Sequence, residues 1–316
     1  MKETCMRIIL AERMSPAALD HMAKQGAQLV DQVGCSREQV LEALPGAQGL
    51  LVRSQTQVDR DLLDRGNDLT LVGRAGTGVD NIDLEYAKAR GVRVVNAPGA
   101  NAVSVAEHAF ALMLAVSRRL VEGTTGLREG RWEKKSLSGS EIQGKTLGIV
   151  GLGRIGREMA LRGRAFGMSV LAYDPYLPES AESEWGVRLI PFETLCAESD
   201  VITLHLPINL ETRHLIDGRI LAIMKPEVIL VNCARGGLID EEALERALLE
   251  ERVRGAGLDV FVGEPKPRAS LLSHPRVVAT PHIAASTPEA EEKAGFMIAE
   301  EVVACIQGKA LRHQVV

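Results

Sequence analysis

The chain has 316 residues, of which 46% are hydrophobic and 25% charged, and its formal net charge is −5. This length exceeds what one ordinary hydrophobic core organises, so we expect a globular protein of two domains. The acidic balance gives no electrostatic basis for binding nucleic acid or an anionic membrane, and no apolar run approaches the roughly 18 residues needed to cross a bilayer.

The N-terminal stretch MKETCMRIIL lacks the long apolar region of a secretory leader. The five cysteines are odd in number and scattered, with no CxxC pair, as is typical of reduced thiols. The seven histidines form no HxxxH motif and no cluster with cysteine. We therefore expect a cytoplasmic protein without a metal site.

Short runs rich in Val, Ile and Leu alternate with amphipathic segments in the first third of the chain. MRIIL, GLLVR, LTLVGRA and VRVVNA each end at a turn, whereas SREQVLEAL has a helical pattern. Apolar runs separated by helices are typical of parallel strands covered on both faces. This region therefore predicts a first doubly wound α/β domain.

The glycine-rich segment GRAGTG, residues 73–78, resembles a nucleotide loop but does not lead directly into a helix. A dinucleotide loop requires its helix to start at the glycines. We interpret the segment as a strand-end turn and expect it to bring Arg74 and Thr77 toward the cleft between the two predicted domains. A purely structural turn is the alternative.

A long helix is predicted over residues 101–121, NAVSVAEHAFALMLAVSRRLV. Ser104 and Glu107 have capping-box spacing, and Asn101 is an equally good N-cap. After this helix the strand pattern resumes in KTLGIVG, SVLAYD, VITLHLP, VILVNCA, GAGLDV and VVATPH. The fold class is therefore α/β, with two doubly wound parallel-sheet, Rossmann-like domains.

The segment GIVGLGRIG contains the pattern GxGxxG between a predicted strand and a predicted helix. Gly151 allows the tight turn, Gly153 lets the backbone approach a pyrophosphate, and Gly156 lets helix and strand pack closely. Asp174 ends the next strand, where a carboxylate accepts hydrogen bonds from ribose hydroxyls and repels a 2′-phosphate. The expected cofactor is NAD. An ordinary glycine turn with a solvated aspartate is the alternative.

Three polar residues follow successive strands of the second domain. Arg235 follows VILVNCA, Glu264 comes shortly after GAGLDV, and His282 ends VVATPH. Ligands of open α/β sheets bind at the carboxyl ends of the strands, so these side chains can converge. Histidine exchanges a proton near neutral pH, a carboxylate orients it, and arginine binds a substrate carboxylate in bidentate fashion. Taken singly, His282 also fits a turn and Glu264 a solvated loop.

The segments LVRSQT, GRAGTGVDNIDL, GKTLGIVGLGRIGRE, VNCARGGLIDE and PHIAAST together make the chain resemble the D-isomer-specific 2-hydroxyacid dehydrogenases. The resemblance spans nearly the whole chain and implies that Arg235, Glu264 and His282 are catalytic. The cofactor contacts that it implies, beside the three glycines, are Thr77, Arg154, Ile155, Asp174, Cys233, Ala234, Asp259 and Ala285. The substrate contacts that it implies are Arg53, Ser54, Arg74 and Asn101.

The resemblance also implies a discontinuous substrate-binding domain, residues 1–98 and 286–316, around an NAD-binding domain of residues 99–285. It implies a homodimer formed largely through the NAD-binding domains. Ala284 stands where the family usually has glycine and Leu206 where it often has threonine, so the resemblance predicts the reaction class better than the substrate.

Three functions fit these residues. The first is NAD-dependent oxidation of 3-phosphoglycerate to 3-phosphohydroxypyruvate in serine biosynthesis, which Arg53 and Arg74 favour because two additional cations suit a phosphate. Pairing of these arginines with Asp80 or Asp83 is the alternative. The second is oxidation or reduction of an unphosphorylated acid such as glyoxylate, hydroxypyruvate or lactate. The third is an NAD-sensing, corepressor-like binding protein.

Overall fold

A computed structural model of the protein describes residues 5–178 and 180–316. The first four residues of MKETCMRIIL, where no leader is predicted, lie outside the described residues. The chain divides into two compact units. The first ends at Asn101 and is completed by Ser286–Val316, and the second is Ala102–Ala285.

Strands and helices alternate along the described chain. The strands are β1 Met6–Leu10, β2 Ala27–Asp31, β3 Gly49–Val52, β4 Leu71–Arg74, β5 Arg93–Val95, β6 Thr146–Val150, β7 Ser169–Tyr173, β8 Arg188–Leu189, β9 Val201–Leu204, β10 Val228–Asn232, β11 Val253–Leu258 and β12 Val277–Ala279. The helices are α1 Pro16–Lys24, α2 Arg37–Ala43, α3 Arg60–Arg65, α4 Leu84–Ala89, α5 Ala102–Ser117, α6 Leu120–Arg128, α7 Arg154–Ala165, α8 Ala181–Trp185, α9 Phe192–Glu198, α10 Gly218–Ile223, α11 Glu241–Leu249, α12 Ala269–Ser273 and α13 Pro288–Ile306.

The first unit is built on a five-stranded parallel sheet with the order β2-β1-β3-β4-β5. The chain order reverses between β1 and β3, which is the flavodoxin-like arrangement. Helix α13, near the C-terminal end of the chain, packs on β4. The packing is so close that a Cβ at Gly73 would lie 2.9 Å from Cγ2 of Ile298. The C-terminal segment is thereby part of the first unit's core.

The second unit contains a seven-stranded parallel sheet with the order β12-β11-β10-β9-β6-β7-β8. The order reverses between β6 and β9, as in dinucleotide-binding folds. The prediction of two doubly wound parallel-sheet domains is confirmed.

Each sheet is covered on both faces. Successive residues of one strand enter different apolar clusters, as Ile8 and Ile9 do in the first unit and Val201 and Ile202 do in the second. This alternation follows from the two-residue period of a strand. Three-layer packing leaves the strand ends and their loops to carry polar groups.

The long helix differs from the one predicted over residues 101–121. Helix α5 begins at Ala102, so Ser104 is buried within its first turn and Asn101 is the residue preceding the helix. The helix ends at Ser117 because Arg119 adopts a left-handed conformation with φ 52°, and α6 then starts at Leu120.

None of the helices among the described residues is long and apolar enough to cross a membrane. Within residues 5–178 and 180–316, no group of three or more His, Cys, Asp or Glu side chains is arranged to hold a metal ion.

Candidate active site

The glycine loop between β6 and α7 has three different local geometries. Gly151 adopts φ 95°, and a Cβ there would lie 2.8 Å from the His205 carbonyl oxygen. A Cβ at Gly153 would meet nothing within 4 Å, whereas one at Gly156 would lie 2.1 Å from the Gly151 carbonyl oxygen. Gly153 thus leaves open space directly at the N-terminus of α7, where backbone N–H groups favour an anion. The loop fits a dinucleotide pyrophosphate.

Asp174 follows β7 and is tied to this loop. One carboxylate oxygen accepts from the Leu152 N–H at 3.0 Å, and the other accepts from the Tyr176 N–H at 3.1 Å. Arg154 opens α7 as an exposed residue, and Ile155 behind it is half-buried. Arg154 and Ile155 thus directly follow Gly153 in the chain, and Asp174 is tied to the same loop through the Leu152 N–H.

The turn VNCARGG is shaped by a buried side chain. The Asn232 amide donates to the Arg235 carbonyl oxygen at 2.9 Å, and its oxygen accepts from the Ala234 N–H at 3.0 Å. Arg235 is half-buried, and its Nη1 donates to the Ala234 carbonyl oxygen at 2.6 Å. Cys233 is buried, and desolvation raises the pKa of its thiol further above its usual range, with a smaller contribution from Asp259. The thiol is therefore protonated and chemically inert.

Gly236 connects this turn to the loop that carries Glu264. A Cβ at Gly236 would lie 2.1 Å from the Phe261 carbonyl carbon, so the two backbones are in direct contact. Any larger residue would separate Arg235 from that loop.

Glu264 and His282 form a direct pair. Oε2 of Glu264 lies 2.7 Å from Nδ1 of His282, and Oε1 accepts from the Phe261 N–H at 2.8 Å. The histidine side chain is 51% exposed and the glutamate side chain 35%. Since Nδ1 faces a carboxylate, we assign the proton of the neutral ring to Nδ1 and leave Nε2 to exchange a proton with a substrate.

Asp259 is fully buried and organises the loop that carries His282. Its oxygens accept from the N–H groups of Ile283 and Ala284, both at 2.8 Å, and from the Thr280 hydroxyl at 2.6 Å. Nε2 of His108, on α5, lies 2.9 Å from the same hydroxyl. Asp259 therefore holds the loop in place, a contact that the sequence did not indicate. Ala285 follows this loop and is half-buried.

The predicted substrate residues Arg53 and Arg74 lie at neighbouring strand ends of the first unit. Arg74 is the last residue of β4 and is paired in register with Val52, the residue before Arg53. The Arg53 guanidinium contacts Glu291 of α13 at 2.8 Å, so this glutamate, not Asp83, is its ion-pair partner. A Cβ at Gly76 would lie 2.2 Å from Nη1 of Arg74, so this glycine makes room for the guanidinium.

The loop after β3 is fixed from both sides. Glu12 accepts from the N–H groups of Arg53, Gln55 and Thr56, at 2.8, 3.2 and 2.9 Å. On the other side, the Asn81 amide donates to the carbonyl oxygens of Arg53 and Thr56. The exposed Ser54 lies within this segment.

Thr77 and Asn101 also lie together, since Oγ1 of Thr77 is 2.9 Å from Oδ1 of Asn101. The first unit therefore contains Arg53, Ser54, Arg74, Thr77 and Asn101, and the other predicted site residues belong to the second unit.

Several residues that hold these groups had not been predicted from the sequence, namely Glu12, Asn81, His108, Asn232 and Thr280. Asn232 had a recognisable signal, because it is a polar residue at the end of an apolar run. The others act through contacts between distant parts of the chain.

Comparison with known proteins places these features in a family. Residues 110–284 match the family described as D-isomer specific 2-hydroxyacid dehydrogenase, NAD binding domain. The chain is 46% identical over 311 residues to a D-3-phosphoglycerate dehydrogenase of Archaeoglobus fulgidus. That alignment covers 98% of this chain but 59% of the relative, so the chain spans little more than half of its length.

Two further proteins match with high coverage. A hydroxypyruvate reductase of Thermotoga maritima is 48% identical over 269 residues, covering 84% of this chain and 87% of the relative. The crystal structure of a glyoxylate reductase from Paecilomyes thermophila superimposes with a TM-score of 0.88 at 32% identity, covering 99% of this chain and 98% of that chain.

Proposed function

Because the chain belongs to the D-isomer specific 2-hydroxyacid dehydrogenase family, a family of NAD-dependent oxidoreductases, we propose that it oxidises 3-phosphoglycerate to 3-phosphohydroxypyruvate. The protein would then be a phosphoglycerate dehydrogenase of serine biosynthesis. The observation that carries the proposal is the 2.7 Å contact between Glu264 and His282 at the strand ends of the unit that contains the glycine loop.

The proton chemistry follows from this contact. Oxidation of a 2-hydroxy acid removes a proton from the hydroxyl oxygen and a hydride from the carbon. Nε2 of His282 accepts the proton, and the Glu264 carboxylate at Nδ1 stabilises the imidazolium that forms. In the reverse direction the imidazolium returns the proton to the carbonyl oxygen. Arg235 binds the substrate carboxylate and polarises the neighbouring carbon–oxygen bond.

NAD, when bound, would supply the hydride acceptor. The pyrophosphate is assigned to the N–H groups at Gly153, Arg154 and Ile155, and the ribose hydroxyls to Asp174. For the rest of the cofactor, the assigned contacts are Thr77, Cys233, Ala234, Asp259 and Ala285. The Asp259 carboxylate also holds the His282 loop through the N–H groups of Ile283 and Ala284.

The phosphate is assigned to Arg53 and Arg74, with Ser54 and Asn101 as additional polar contacts. Both arginines lie at the carboxyl ends of adjacent strands, and Gly76 leaves the space that the Arg74 side chain occupies. The fixed loop after β3 holds the Arg53 backbone, so less conformational entropy is lost when a phosphate binds.

Oxidation or reduction of an unphosphorylated acid is the second candidate. It is favoured by the ion pair between Arg53 and Glu291, which already neutralises one of the two cations. The hydroxypyruvate reductase relative is consistent with it.

The test is a ratio of two specificity constants. We expect kcat/KM for 3-phosphoglycerate to exceed that for D-glycerate in the wild type, and the ratio to fall in R53A and R74A. A charge-assisted contact contributes roughly 1.5–3 kcal/mol, so each substitution should lower the ratio about ten- to hundredfold. D-Glycerate lacks the phosphate and serves as the internal control for damage to the rest of the site.

Other results would select another function. A ratio unchanged in both variants, with turnover of D-glycerate, glyoxylate or D-lactate, would establish the second candidate. Binding of NADH without turnover of any hydroxy acid would indicate an NAD-sensing binding protein.

A homodimer and a cytoplasmic location complete the proposal. The unit with the glycine loop exposes an apolar surface at α6 and the segment after it, the α6 surface, formed by Leu120, Val121, Leu127 and Trp132. Large apolar side chains left exposed close together in the chain are typical of protein interfaces, and a two-fold axis would place this surface against itself.

A further inference from the structure

Glu241 is a buried carboxyl group close to the proposed acid–base pair. It is the first residue of α11 and only 7% exposed. Its Oε1 accepts from the Val262 N–H at 2.7 Å. Its Oε2 is buried and makes no hydrogen bond to any of the described residues.

Burial of this group costs free energy. Desolvation raises the pKa of the Glu241 carboxyl above its usual range, and the negative charge of Glu264 raises it further. The Val262 N–H and the charges of Arg268 and His214 act in the opposite direction. Helix α11 does not require this carboxyl, because the preceding Asp240 caps the N–H groups of Glu242 and Ala243.

The contact made by Glu241 holds the segment that carries Glu264. Residues 262–265 are exposed, and Gly263 has φ 79°. Two consecutive backbone N–H groups at the start of this segment donate hydrogen bonds to carboxylates. The Phe261 N–H donates to Glu264, and the Val262 N–H donates to Glu241. Glu241 therefore ties a mostly exposed segment to a buried helix end, 21 residues away in sequence.

We propose that Glu241 is a positioning residue, whose hydrogen bond to the Val262 N–H sets the place of Glu264 and, through it, the orientation of His282. The inference rests on the proposed function, since positioning has a catalytic meaning only if the pair transfers a proton. The oxygen acceptor performs this role, and the negative charge does not.

Three substitutions separate the acceptor from the charge and from the length of the side chain. Glu241→Gln keeps an acceptor oxygen and removes the charge, Glu241→Asp keeps the acid but withdraws it by one methylene, and Glu241→Met fills the space without an acceptor. We expect kcat to fall about tenfold or more in E241D and E241M, because small misplacements of a catalytic group are costly. We expect the kcat of E241Q to stay within about threefold of the wild-type kcat. The Kd for NADH should stay within about threefold of the wild-type value in all three variants.

Glu242→Ala is the matched control, because Glu242 is exposed on the same first turn and pairs with Arg268 rather than with the loop. It should leave kcat unchanged. The ring nitrogen resonances of His282, measured by NMR, supply a readout independent of turnover. The chemical shifts of these resonances should change in E241D and E241M and should match the wild-type values in E241Q and E242A.

The outcomes separate the two proposals. If the wild type turns over no hydroxy acid but the His282 resonances move as expected, the proposed function fails and the positioning role stands. If the wild type is active and E241D keeps its kcat and its His282 resonances, the positioning role is wrong. A loss in E241Q equal to that in E241D would also overturn it, because the charge would then be required. E241D decides the question should E241M not fold.

Discussion

The backbone of His282 lies in the left-handed region, with φ 54°, a conformation that non-glycine residues rarely adopt. The neighbouring structure offsets the strain: Asp259 holds the next two N–H groups through its side chain, and its carbonyl oxygen accepts from the His282 N–H at 2.8 Å. In this conformation Nδ1 of the ring lies 2.7 Å from Oε2 of Glu264. A strained residue held from several sides is typical of functional sites.

We expect His282→Ala to lower kcat about 10²- to 10⁴-fold, the usual contribution of a general acid or base. The Kd for NADH should change no more than a few-fold, because the glycine loop and Asp174 do not contact this ring. Initial rates and a fluorescence titration with NADH measure the two quantities. If both parameters fall together, the residue is structural and the proton-transfer assignment is wrong.

The environment of His205 predicts that the folded protein becomes less stable as the pH falls. Burial lowers its pKa from the usual 6.5 to about 3, and its Nδ1 is buried without a hydrogen bond to any described residue. The unfolded chain takes up a proton near pH 6.5, whereas the folded chain does not until about pH 3. The stability that depends on neutral His205 is therefore present above pH 6.5 and lost as the pH falls from 6.5 toward 3.

We expect His205→Gln, which cannot take up this proton, to lose less stability between pH 7.5 and pH 5 than the wild type does. The difference should reach at most about 2 kcal/mol in the free energy of unfolding. Urea denaturation at the two pH values measures it. His214→Gln, at an exposed position, is the control and should follow the wild-type pH dependence. An equal loss of unfolding free energy between the two pH values in all three proteins would show that His205 does not titrate in this way.

Which residues could be identified from sequence depended on the range of their contacts. Arg235 and His282 directly follow apolar runs, and the geometry of parallel sheets places strand ends on one edge. Glu241 gave no such signal, because it acts on a loop 21 residues away, and hydrophobic periodicity carries no information on such pairs.

At the scale of elements, β2 and the end of α5 departed from expectation. Strand β2, AQLVD, is an edge strand with one buried residue, so it lacks the continuous apolar run that identified the central strands. Helix α5 stops at Ser117 although the helical pattern continues, because the left-handed Arg119 separates it from α6. Side-chain patterns predict that a helix exists better than where it ends.

The junction of β6 and α7 yields a prediction from two glycines. Gly156→Ala should lower the free energy of unfolding by about 1–3 kcal/mol, since the new Cβ would meet a backbone oxygen that must shift. Gly153→Ala should leave that free energy within about 0.5 kcal/mol, because the space around it is open.

For NADH binding we expect the opposite ranking of the two substitutions. Gly153→Ala places a methyl group where the pyrophosphate is assigned and should weaken NADH binding strongly while the fold remains intact. Urea denaturation without cofactor and an NADH titration supply the two measurements. Unchanged NADH binding by G153A would remove the pyrophosphate from this loop.

At the scale of the whole molecule, the alternation of strands and helices was sufficient to predict two doubly wound domains, because parallel strands need helical crossovers. The same pattern does not determine strand order. The first sheet reverses between β1 and β3 and the second between β6 and β9, and these orders appear only in the structure.

The exposed apolar side chains of the α6 surface predict that two copies of the chain associate as a homodimer. Leu120 and Leu127 are seven residues apart on one helix face and are 54% and 60% exposed, and Trp132 is 81% exposed. Apolar area of this kind is stabilised by burial, at about 25 cal/mol per Å². We therefore expect sedimentation velocity to report twice the chain mass at micromolar concentration.

The double variant Leu127→Asp/Trp132→Ser should sediment at the mass of one chain, because two charges would face each other across a two-fold axis. Leu210→Asp is the matched control, since Leu210 is 96% exposed in the same unit but lies outside the α6 surface, and it should leave the mass unchanged. NADH binding separates loss of assembly from unfolding: the double variant should still bind NADH, because the glycine loop lies in a different part of the unit's fold. A double variant that keeps twice the chain mass would place the interface elsewhere, and a wild type that sediments as a single chain would rule out the homodimer.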